Sequence, residues 1–75
     1  MIKEFDRVAL TRALPEHHLE TGDVGTVVMV HTVPVAGFTI EFTTFSGKMI
    51  ALVDLTADAV RPIRAREIAH VREVA

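Results

Sequence analysis

Phe38-Thr-Ile-Glu-Phe-Thr43 alternates apolar and polar residues without a break. A period of two marks a strand with one face buried, and a helix cannot use that pattern. Phe38, Ile40 and Phe42 are expected inside, with Thr39, Glu41 and Thr43 outside. Other short apolar runs recur along the chain, each ended by a turn signal. Such spacing predicts a mainly β fold.

The first run, Phe5–Thr11, puts Val8 and Leu10 on one face and Arg7 and Thr11 on the other. A connector over Ala13–Asp23 follows, in which Pro15 blocks a strand and Gly22-Asp23 signals a turn. The second run is Val24–His31. Strict alternation sets Thr26, Val28 and Val30 on one face and Val27, Met29 and His31 on the other, so both faces are largely apolar. Gly25 within it predicts a bulge or a close backbone approach. Pro34 and Gly37 mark a loop, and Ser46-Gly47 a hairpin turn. Lys48–Leu55 reads as the fourth strand. Thr56–Ala59 reads as a one-turn helix with Thr56 placed to cap it. Val60–Ile63 is a short fifth strand, confined to an edge or an end by Pro62. In the remainder, Ile68, Val71 and Val74 recur every third residue, the spacing of a short amphipathic helix. The expected division is a barrel over residues 1–63 and an extension, helix or tail, over 64–75.

Composition narrows the function classes. With 75 residues the chain makes one small domain. It has no Cys, which excludes disulfides, cysteine metal sites and a thiol nucleophile. Lys and Arg number 8 against 10 Asp and Glu, so the basic excess of a nucleic-acid binder is missing. Only Arg61, Arg64 and Arg66 make a basic stretch. No apolar run approaches the roughly 20 residues of a membrane span. Met1–Asp6 carries Lys3, Glu4 and Asp6 and lacks a signal-peptide core. The expected location is cytoplasmic.

Four segments carry a resemblance. Asp6-Arg-Val-Ala-Leu-Thr-Arg12, Leu14-Pro-Glu-His17, Gly22-Asp-Val-Gly-Thr-Val-Val28 and Asp58-Ala-Val-Arg-Pro-Ile63 resemble a bacterial domain-of-unknown-function family, number 4926. The order of elements resembles a small five-stranded SH3-like barrel, with a one-turn helix before the last strand and a short C-terminal extension. The Gly22–Val28 segment is also similar to a stretch of the photosystem I subunit that helps dock ferredoxin. The Asp-Arg-Val opening and the Pro-Glu-His-His loop are similar to nitrile hydratase β subunits, and the general plan to the variable chain of ferredoxin–thioredoxin reductase. In those proteins the barrel is an accessory while another chain holds the cofactor. The resemblance implies docking and assigns no site.

No constellation of side chains predicts catalysis. His17-His18 would need further ligands, such as Glu16, Glu20 or His31, and adjacent residues in an extended segment point apart. Asp6, Asp23, Asp54 and Asp58 each fit a strand start, a turn or a helix flank. Thr43, Thr44 and Ser46 stand in no nucleophile motif. Gly22–Gly25 lacks the Lys-Ser/Thr and the helix of a phosphate loop. It faintly resembles a KOW motif, which implies contact with RNA or the ribosome through Arg61, Arg64 and Arg66.

The mean hydropathy of +0.34 is high for so short a chain. Val27 and Met29, with Ile50 and Leu52, predict a second apolar face. Such faces mark interaction surfaces unless the chain covers them itself, here with Ile68, Val71 and Val74. The expected function is a non-catalytic, cofactor-free and metal-free docking module. It binds a protein partner or another copy of itself, as an accessory or a small regulatory or antitoxin-like subunit. The expected contacts are Leu19, Val27, Met29 and His31. A KOW-like RNA or ribosome binder is the alternative.

Overall fold

The computed structural model describes residues 1–74. Five antiparallel strands make one sheet: β1 (Arg7–Leu10), β2 (Val24–His31), β3 (Gly37–Thr43), β4 (Met49–Thr56) and β5 (Val60–Pro62). Their spatial order is β4-β3-β2-β1-β5, leaving β4 and β5 as the two edges. One-turn 3₁₀ helices occupy Pro15–His17 and Ala57–Ala59. The sheet therefore stays open between its two edge strands.

The core lies on one face of this sheet. Val8, Leu10, Val27 and Ile40 are its largest fully buried side chains, joined by Leu14, Leu19, Phe38, Phe42 and Leu55. Each such side chain contributes about 1.5–3 kcal/mol by leaving water. Phe38, Ile40 and Phe42 point inward, as their alternation predicts. Gly25 answers the expectation of a close approach: a Cβ there would overlap Ile40 Cγ2 and stand 2.8 Å from Phe42 Cε1. At the β3–β4 turn Gly47 takes a φ of +95°, which suits a residue without a Cβ.

Of the helix or tail expected over residues 64–75, the described part is a tail, and the cap expected of Thr56 needs correction. The segment after β5 is no helix: residues 64–74 hold a single turn, closed by the Glu67 amide donating to the Arg64 carbonyl, and extended chain. Ala75, the end of the predicted extension, lies outside the described residues. Ile68 and Val71 are exposed. The three-residue spacing lost to ion pairs with distant residues, described below. Thr56 does sit at the cap position of the second 3₁₀ turn, yet its hydroxyl donates to Asp58 Oδ1 and caps no amide.

Candidate interaction surface

Bulges decide which side chains reach the outer face. Between β2 and β3 the register runs Val27↔Ile40, then Met29↔Thr39, so Val28 is an extra residue. A bulge of this kind reverses the parity beyond it. Val27 and Met29 therefore fall on opposite faces, against the predicted sharing. A second shift lies between Phe42↔Ala51 and Thr43↔Met49 on β4. It sends Ile50 toward the core and leaves Leu52 outside.

These shifts divide the four predicted contacts. Val27 is a core residue with no exposed surface. Leu19 is buried too, bridged to Leu14 at the end of the first 3₁₀ turn. Neither can touch a partner without unfolding. Met29 is 52% exposed and His31 is half-buried, and both lie on the outer face. Leu52 at 55% and Met49 complete an apolar fringe there.

A chain of polar groups crosses the middle of this face. Thr39 is paired with Met29 on one side and Asp54 on the other. Its hydroxyl donates to Asp54 Oδ1 at 2.5 Å, and His31 Nε2 stands 2.7 Å from its oxygen. A hydroxyl has one hydrogen, so once Asp54 receives it the imidazole must donate. His31 thus carries its hydrogen on Nε2, 3.8 Å from the Asp54 carboxylate. The direction is the reverse of an activated nucleophile, in which the base accepts from the hydroxyl. What the chain does offer is an oriented acceptor, Asp54, and a fixed imidazole edge. Thr39 was legible as outward-facing, but only the register joins it to Asp54 and His31.

Beside this chain the β2–β3 loop frames a shallow hollow of about 260 Å³. Val33, Pro34 and Val35 of the loop line it together with Asp54 and Thr56 of β4. At the opposite end of β4, in the β3–β4 turn, Phe45 is 99% exposed. The sequence marks both as turns, and nothing local says that their apolar side chains stay uncovered.

The elements that place this surface, from the start of β1 to the end of β5, lie within residues 4–62. Those residues match the family described as "Domain of unknown function (DUF4926)". The chain belongs to the DUF4926 family. No curated protein and no solved structure matches it.

Past the DUF4926 match, the tail is tied down at two points. Arg61 on β5 makes a fork with Glu67, through bonds of 2.8 and 2.6 Å. That fork and the Arg64 amide hold the Glu67 carboxyl down at about 2. Further along, Arg72 donates from Nε to Asp23 Oδ1 at 3.0 Å and from Nη2 to Asp23 Oδ2 and the His18 carbonyl. Burial pushes the Asp23 carboxyl up, but the bonds from Arg72 and from the Glu20 amide outweigh it and hold it below its ordinary value. His17 belongs to the first 3₁₀ turn and His18 closes it with a φ of 59°. Among the described residues, no three His, Asp or Glu side chains cluster as metal ligands would. No helix among them is long and apolar enough to cross a membrane.

Proposed function

We propose that the chain is a non-catalytic docking module, an SH3-like barrel in plan, whose outer β2–β4 face receives a protein partner. One observation carries this reading: the open face holds exposed Met29 and Leu52 beside the His31–Thr39–Asp54 chain, with exposed Met49 further along β4. An apolar fringe with a few fixed polar groups is the composition of a protein interface. Burial of the fringe supplies affinity, and Asp54 and His31 set the partner's orientation. A regulatory or antitoxin-like subunit is one form of such a module. The RNA-binding alternative has less support, because Glu67 already occupies the Arg61 fork.

The test is gentle purification of the tagged chain from its own cells, with light scattering for mass and peptide mass spectrometry for companions. A stoichiometric companion is expected. Met29→Lys, which leaves the core untouched, should release it with an unchanged circular dichroism spectrum. A chain recovered alone, or with RNA that leaves as salt rises, overturns the reading.

A further inference from the structure

The two edges of the sheet differ in what they leave unpaired. The short β5 ends in Pro62, which has no amide to offer a further strand. β4 is eight residues long and contains no proline. The direction of its free backbone groups follows from the ladder. Val27 donates to the Asp6 carbonyl and accepts from the Phe5 amide, so both its groups point toward β1. Strand alternation then turns Thr26 toward β3 and its partner Glu41 toward β2. Ile40 and Phe42 consequently face β4, where they meet Val53 and Ala51. The N–H and C=O groups of Leu52 and Asp54 are left pointing away from the sheet. They require a strand or water.

Three features fit a second copy of this strand. First, β4 is bracketed by Lys48 at its start and Asp54 near its end. An antiparallel pair centred on Ala51 sets each Asp54 opposite the other copy's Lys48, whereas an in-register parallel pair stacks Asp54 on Asp54. Like charges directly opposite are destabilising. Second, Phe45 and the Val33–Val35 hollow lie at opposite ends of β4. A two-fold axis exchanges those ends and brings each Phe45 to the other copy's hollow. Third, with β5 closed by Pro62 only one edge can pair, so the assembly ends at two copies and does not extend as a fibre.

We propose that β4 is the seam of a two-fold dimer, in which two copies pair β4 antiparallel and each inserts Phe45 beside the other's Val33 and Val35. This goes beyond the docking reading. It concerns the purified chain alone, and a seam that fails leaves the partner test standing.

Sedimentation equilibrium of the 75-residue chain across micromolar to millimolar concentrations tests it. The expected mass rises to twice 8.3 kDa. Hydrogen exchange should slow with concentration at the Leu52 and Asp54 amides and stay constant at Val53, already bonded within the sheet. Leu52→Pro removes an outward amide, which an edge strand tolerates, and should abolish the dimer. Phe45→Ala changes a side chain that touches no core and should weaken the dimer about tenfold or more, as for a buried aromatic anchor. A monomer throughout, Leu52 exchange independent of concentration, or a dimer unmoved by Phe45→Ala overturns the proposal. So does a folded Leu52→Pro that still dimerises.

Discussion

The two edges of one sheet are treated in opposite ways. Beside β5 the chain ties down its own tail. Arg61 holds Glu67 on one flank of β1, and Arg72 holds Asp23 on the other. Between these ties lies Ala9, which points away from Val8 and Leu10 and is still only 2% exposed. At β4 nothing comparable is present among the described residues. Leu52 and Met49 stand in solvent, and the edge has only Asp54 as a charge. The difference teaches that the apolar excess of this sequence is not spread evenly. One flank of the sheet is tied to the chain's own tail by two ion pairs, and the other has no such tie among the described residues.

The comparison can be broken most forcefully at the β4 side. Gly37 opposes Thr56, and a Cβ on it would overlap the Leu55 carbonyl oxygen, a backbone atom that cannot swing aside. Gly37→Ala should lever β4 from β3 and lower stability by about 1–3 kcal/mol, the range for overpacking. Urea unfolding measures this, and a loss below about 0.5 kcal/mol, the ordinary scatter of surface changes, would mean that the edge yields easily. A smaller effect belongs to the side that carries the tail. Arg72→Ala removes the bonds to Asp23 and His18 and should raise amide exchange in the tail and around Ala9. The β3–β4 amides should not change; if they do, the two edges are coupled and the contrast fails. Its stability loss should be well below that of Gly37→Ala, because exposed ion pairs contribute little.

The smallest effect is a matter of pH. Glu67 loses its proton near 2 in the folded chain, against 4.5 ordinarily. The unfolded chain takes up that proton first as pH falls. Stability from the Arg61–Glu67 fork is therefore complete above about 4.5 and is lost as pH falls from there toward 2. Asp23 shifts in the same direction and adds to the trend. Thermal melts of the wild type and Glu67→Gln should differ modestly at pH 6 and converge near pH 2. A gap that widens on acidification would contradict the assignment.

Much of the fold was legible. Phe38–Thr43 alternates cleanly and no bulge interrupts its middle, so period alone placed its core residues. Pro62 and Gly47 announced an edge and a turn by their own stereochemistry. The family was legible too, because its motifs sit on these local features. The outer face was not, and the reasons are specific. Val28 and Ile50 become extra residues only when β3 is laid beside them, so alternation assigned Val27 outward and paired Ile50 with Leu52. Leu19 looked like a loop contact because its partner Leu14 lies across a turn. The tail's spacing of three could not reveal that Asp23, 49 residues away from Arg72, would hold it extended. Thr39 and Asp54 met through register, which no single strand encodes.

The pairing of β1 with β5 has a mechanical consequence. Val8 sits opposite Pro62 and Leu10 opposite Val60, so the start of β1 and the end of β5 emerge side by side. A load applied between the segments before Arg7 and after Pro62 pulls across these strands and opens their bonds one pair at a time. Strands pulled along their length would share that load over every bond at once. Tension arriving from beyond Arg72 meets the clasp on Asp23 first, and β5 feels it only when that clasp has slipped. Under tension the domain would give way in stages, beginning at the tie between Arg72 and Asp23.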